Sequence, residues 1–187
     1  VHGFYAISSY SQIGLTKEMD AVSLGWARME YTADGGPTLN TTSANGNGWK
    51  IPEDPTAATS YLQSNGTPYN LCVFGSAADS IALADGTTTS TVAAVTGTPA
   101  ARAQAVAALT AASSSYAGLT IDFEGLKDKG TLKSDFAQFM KELRAALPKS
   151  KALYVCVQPG PYLTGFDFRS LGESCDKVIL MAHDYRP

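Results

Sequence analysis

The chain has 187 residues, of which 44% are hydrophobic and 17% charged, an ordinary globular composition with enough length for one substantial core. Its formal net charge is -3 and its Lys and Arg residues form no cluster, so the electrostatic footprint of a nucleic-acid binder is missing and a neutral or mixed-charge partner is expected. No apolar run reaches the length of a membrane span, and the first residue is Val, which reads as a segment of a longer precursor.

Six β-rich runs set the frame: "HGFYAIS" (2–8), "AVSLGWARM" (21–29), "NLCVFGS" (70–76), "GLTIDFEGL" (118–126), "ALYVCVQP" (152–159) and "KVILMAHDY" (177–185). After the second run, residues 30–54 are rich in Gly, Asn and Thr. A structureless loop of that length is unusual in a compact domain, so a small hairpin or the wall of a binding site is expected there. A helix follows in "PTAATSYLQSNG", with Pro55 near its start and Gly66 as its stop. The Ser/Thr/Ala stretch around 85–98 reads as a second loop, and "PAARAQAVAALTAASSSY" as an Ala-rich helix with small side chains on every side. The clearest helix is "TLKSDFAQFMKELRAALPK", where Leu132, Phe136, Phe139, Met140, Leu143 and Leu147 recur at three- and four-residue spacing and form one apolar stripe that covers a sheet.

Strands alternating with helices predict an α/β fold with a parallel sheet. A barrel is favoured over an open doubly wound sheet, because no Gly-rich phosphate turn follows the first strand and polar residues gather at the C-terminal ends of several strands. A full eight-unit barrel needs ~250 residues, so residues 1–187 are expected to form a single domain, an incomplete (β/α)8 TIM-type barrel of about six units that stops after the sixth strand. Cys72, Cys156 and Cys175 cannot all pair, and two of them lie in apolar strand runs where a thiol behaves as a small buried hydrophobe, which excludes a disulfide framework. The sequons at Asn40 and Asn65 matter only in a eukaryotic secretory setting.

"YAGLTIDFEGL" (116–126) holds two acids two residues apart in a strand. Alternation puts Thr120, Asp122 and Glu124 on one face and Leu119, Ile121 and Phe123 on the other. The apolar face packs on helices, and the polar face points into the barrel. Two acids so close repel when both ionise, and burial disfavours the charge further, so one is expected to hold a proton near neutral pH, as a general acid must. From spacing alone, pairing with Lys or Arg or the capping of a loop remains an equal alternative.

The stretch resembles the D-G-x-D-x-D-x-E signature at the end of the fourth barrel strand in glycoside hydrolase family 18, the chitinases and related endo-β-N-acetylglucosaminidases. Gly118, Asp122 and Glu124 match it, while Ala117 and Thr120 replace the first and middle acids. The "IDFEG" ending is similar to the bacterial branch that contains spore-cortex and peptidoglycan hydrolases. "HGFYA", "VSLGWARM", "LYVCVQPGPY" and "VILMAHDY" resemble the first, second, fifth and sixth strands. Of the M-x-Y-D ending of the sixth strand, Met181 and Asp184 match and His183 takes the tyrosine position.

The resemblance implies that Glu124 protonates the glycosidic oxygen while the substrate's own N-acetyl carbonyl attacks the anomeric carbon, so no second enzymic nucleophile is required. It implies that Asp122 orients the acetamido group and helps to keep Glu124 protonated. Thr120 can only hydrogen-bond where an acid could share a proton. Tyr5 and Trp26 are candidates for the pocket floor, and Met181, His183 and Asp184 for contacts with the acetamido group and neighbouring hydroxyls, although Trp26 and Met181 are of types more often found in a core than in contact with ligand. No cofactor is implied, and no metal, because His2 is the only other histidine and no C-x-x-C or H-x-x-x-H spacing exists.

Two functions follow as expectations. One is a substrate-assisted, retaining hydrolase of β-1,4-linked N-acetylglucosamine polymers, peptidoglycan ahead of chitin and N-glycans, acting outside a bacterial cell or in its envelope. The other is a glycan-binding protein on the same scaffold with its chemistry lost or weakened, which Ala117, Thr120 and His183 favour. The open edge of a six-strand barrel also predicts self-association.

Overall fold

The computed structural model describes residues 1–184, of which 7–10 and 184 are described by their backbone alone. Its strands are β1 (His2–Tyr5), β2 (Ala21–Thr32), β3 (Gly36–Asn40), β4 (Tyr69–Ser76), β5 (Ile81–Ala82), β6 (Thr88–Thr89), β7 (Gly118–Glu124), β8 (Ala152–Val157) and β9 (Lys177–Leu180). The α-helices are α1 (Pro55–Ser64), α2 (Thr91–Thr96), α3 (Pro99–Ala112), α4 (Leu132–Ala146) and α5 (Phe168–Ser174). All six strands read from the sequence form, and they lie in the order β1-β2-β4-β7-β8-β9 with every neighbouring pair parallel. The long segment after the second strand contains a hairpin, since β3 turns back antiparallel on β2.

The sheet is curled. The His2 ring of β1 meets the Tyr154 ring of β8 edge-on at 5.3 Å, and Ser23 Oγ of β2 lies 2.6 Å from Thr120 Oγ1 of β7 across the intervening β4. A flat sheet would hold these strands several spacings apart, so the chain forms an incomplete (β/α) barrel with helices between its strands. Part of that closeness is built into the backbone: a Cβ on Gly118 would sit 2.1 Å from the Ala152 carbonyl oxygen, so β7 accepts only glycine where it meets β8.

The main core lies between the outer face of the sheet and the helices. Phe136, Phe139, Met140 and Leu143 of α4 are buried with Leu119, Ile121 and Phe123 of β7, the stripe and the strand face that the two periodicities set against each other. Phe123 stacks on Phe139 with ring centroids 5.7 Å apart. Each such buried side chain contributes about 1.5–3 kcal/mol through the apolar surface it removes from water.

Three local readings change. Residues 85–98 are not a loop: β5 and β6 form a two-stranded hairpin, and α2 follows, capped by Ser90, whose side chain accepts from Ala93 N at 3.2 Å. Val92 and Val95 are fully buried, and that tertiary burial overrides the weak helix propensity of a Thr/Val-rich run. The first run is a strand only to Tyr5, and a 3-10 segment spans Ile7–Glu18. The last strand stops at Leu180, and Ala182–Asp184 make a 3-10 turn.

Candidate active site

The concave face is assembled from alternate residues of neighbouring strands. Register aligns Thr120 with Cys72 on one side and Tyr154 on the other, Asp122 with Phe74, and Glu124 with Ser76. Below the acids runs a polar seam: His2 Nε2 lies 2.8 Å from Ser23 Oγ, Ser23 Oγ is hydrogen-bonded to Thr120 Oγ1, and Asn70 Nδ2 donates to Thr120 Oγ1 at 3.2 Å. Thr120 is fully buried in this seam. Burial holds the His2 imidazole below the usual histidine range, helped by the charges of Lys177 and the N-terminus, and its Nδ1 has no hydrogen-bond partner among the described residues. A neutral ring therefore floors the site.

Asp122 is buried, at 3% exposure, and Glu124 above it is half-buried and reachable from the mouth. Gln158 fixes Glu124: its Nε2 donates to Glu124 Oε2 at 3.1 Å, while its Oε1 accepts from Gly125 N at 2.6 Å. The second bond decides which way the amide faces, so the donor is turned toward the carboxylate. Gly125 has φ +84, a left-handed turn that ends the strand directly after Glu124 and brings its N–H round to Gln158. On β8, one residue beyond the Ile121–Val155 register pair, Cys156 is level with Asp122 and its thiol hydrogen-bonds that carboxylate. Burial pushes the Cys156 thiol far up, with Asp122 and Glu124 adding to the effect. Burial raises Cys72 in the same way. Both are protonated thiols at any working pH, inert as nucleophiles.

The other sequence candidates separate. Tyr5 and Trp26, 3% and 1% exposed, belong to the buried apolar cluster that also holds the helix residues. Met181 is buried at the start of the final turn, His183 is exposed on it, and the side chain of Asp184 lies outside the described residues. Gln158, Cys156 and Phe74 were missed, although the alternation that selected Asp122 and Glu124 also puts Phe74 and Cys156 on the inner face of their strands and carries on to Gln158, one residue past β8. Among the described residues no group of three or more His, Cys, Asp or Glu could hold a metal ion, and no helix is long and apolar enough to cross a membrane.

Aromatic rings wall the same mouth. Phe74 stacks on Trp49, which descends from the 30–54 segment, with centroids 4.9 Å apart and planes 6° from parallel.

No family model matches the chain, and no curated protein matches it. Solved structures do. A chitinase from Chromobacterium violaceum superposes with a TM-score of 0.71 at 23% identity, over 100% of this chain and 56% of its own. A class V chitinase from Pseudomonas fluorescens gives 0.73 at 22%, over 97% and 53%. The spore cortex-lytic enzyme of Bacillus cereus gives 0.69 at 11%, over 97% and 41%. The fold is thus that of the chitinases and spore cortex-lytic enzymes, and the chain spans about half the length of these structures.

Proposed function

We propose that this chain carries the acid/base half of a retaining glycoside hydrolase site for β-1,4-linked polymers of N-acetylglucosamine. The observation that carries the reading is the pair itself: Glu124 is half-buried at the mouth and hydrogen-bonded by Gln158, and Asp122 is buried one layer below on the same inner face. It occurs in a fold shared with chitinases and spore cortex-lytic enzymes.

In this reading, protonated Glu124 donates its proton to the glycosidic oxygen as the C–O bond breaks. The carbonyl oxygen of the substrate's N-acetyl group attacks the anomeric carbon from the opposite face and gives a cyclic oxazolinium ion. Asp122 accepts a hydrogen bond from the acetamido N–H and stabilises the positive charge that develops there. Glu124, now a carboxylate, takes a proton from water as that water opens the ring, which restores the acid and retains the anomeric configuration. His183 and Asp184 are proposed to meet substrate hydroxyls at the rim, with Met181 behind them. Tyr5 and Trp26 support the floor from the core side.

Ala117, Thr120 and His183 support a second reading, a glycan-binding protein in which the pair is a remnant. One experiment separates the two. Hydrolysis of chitin oligomers and of purified peptidoglycan is expected from the wild-type chain, and Glu124→Gln is expected to lose about 10²–10⁴-fold in rate. Equal turnover by both proteins sinks the acid/base role. Binding without turnover in either selects the second reading.

A further inference from the structure

We propose that Trp49 and Phe74 form a stacking subsite for a pyranose ring, next to the carboxylates and outside the proton-transfer machinery. The proposal rests on the reading of the site above and names where the neighbouring sugar of the same N-acetylglucosamine chain is held.

Position comes first. Phe74 is the register partner of Asp122 on the adjacent strand, and neighbouring strands lie about 4.8 Å apart, so the ring stands beside the acid pair on the concave face. Trp49 and Phe74 are both half-buried, so the stack keeps aromatic surface open. A cavity of about 560 Å³ opens from Phe74 and Ser76 toward Tyr31, Arg28, Glu30 and Asn45.

The stack is also held in place. Asn47, 3% exposed, donates through Nδ2 to the carbonyls of Asn40 (3.0 Å), Thr42 (2.9 Å) and Trp49 (2.9 Å), and accepts from Trp49 N at 2.8 Å. Beneath the indole, a Cβ on Gly25 would come within 3.1 Å of two ring carbons, so β2 carries glycine where the ring settles onto the strand. The cavity's polar side is pre-ordered as well. Burial draws the Glu30 carboxyl upward, but hydrogen bonds from Asn40, Arg28 and Asn45 and the Arg28 charge outweigh it, and Glu30 sits below its usual value. Arg28 and Glu30 offset one another, and the remaining carboxylate of the wall, Asp79, is occupied by the Thr91 N–H at 2.8 Å and the Thr91 hydroxyl at 2.6 Å.

This surface matches a β-linked sugar. With its substituents equatorial, such a ring shows axial C–H groups on its faces and hydroxyls at its edges. Aromatic faces carry partial negative charge and attract the C–H face, while Glu30, Asn45 and Ser76 offer hydrogen-bond partners to the edge.

The test is a fluorescence titration of the Glu124→Gln chain with chitin tetramer to hexamer, so that binding is read without hydrolysis. The chain has two tryptophans, and Trp26 is 1% exposed, so a change in emission reports Trp49. That change is expected to vanish in Trp49→Phe, which keeps a ring. Trp49→Ala and Phe74→Ala are expected to bind about tenfold more weakly, equivalent to about 1.4 kcal/mol, with thermal midpoints recorded alongside. Oligomer binding that leaves Trp49 emission unchanged, unchanged affinity in both Trp49 variants, or no oligomer binding at all overturns the subsite. Quenching and weakened binding, with no turnover by the wild-type chain, overturn the hydrolase reading and leave the subsite standing.

Discussion

Gln158 shows how much a single amide decides here. It holds the Glu124 carboxylate by its nitrogen and the Gly125 N–H by its oxygen, so replacing it frees both the acid and the turn behind it. In Gln158→Leu, kcat is expected to fall about tenfold with KM little changed, a smaller loss than the ~10²–10⁴-fold that removing the general acid itself costs. The lost bond favoured the ionised carboxylate, so its removal favours the protonated acid, and the alkaline limb of the pH–rate profile is expected to move to higher pH. A lower kcat with an unmoved profile would reduce Gln158 to a packing residue. Asp122 and Glu124 were legible because strand alternation is a local property. Gln158 continues the same alternation one residue past the end of β8, but its partner is 34 residues away, and no local pattern names it. Trp49 was visible as a large aromatic in a polar segment, yet its position depends on Asn47 bonding three carbonyls, a geometry without sequence periodicity.

Among elements, the stripe on α4 and the six strands were readable because each combines a clean period with turn signals at its ends. The helix α2 was not, since its β-branched residues suggest loop or strand and only its buried valines make it a helix. The fold ties this short element in by an ion pair. Arg102 of α3, 9% exposed, donates through Nε to Glu142 of α4 at 3.1 Å and through Nη1 to the Thr96 carbonyl at the end of α2 at 2.9 Å. Arg102→Ala removes all of these bonds and is expected to lower unfolding stability by about 1–3 kcal/mol, read as a lower urea midpoint at unchanged slope. Arg102→Met keeps the aliphatic stem over the helices and is expected to recover part of the loss. A midpoint equal to wild type in Arg102→Ala would show that α2 is held by its valines alone.

For the molecule as a whole, the barrel class followed from alternating strands and helices, while the curl became visible only through contacts such as His2 with Tyr154. At the two ends of the strand order stand β1 and β9, with Phe4 49%, Val178 41% and Leu180 54% exposed. Apolar edges of this kind recruit further strands, so the 187-residue chain is expected to self-associate with rising concentration in sedimentation velocity. A single monomeric boundary at every concentration would refute that. The hydroxyl bond between Ser23 and Thr120, which stitches the inner face together, has a consequence in time: its partners are 97 residues apart. At ~5–20 residues per second, a ribosome needs roughly 5–20 s to travel from one to the other. Through that interval the nascent first strands wait with their inner faces unmatched, so the birth of this fold is paced by translation and belongs to the slow, long-range class of sheet assembly.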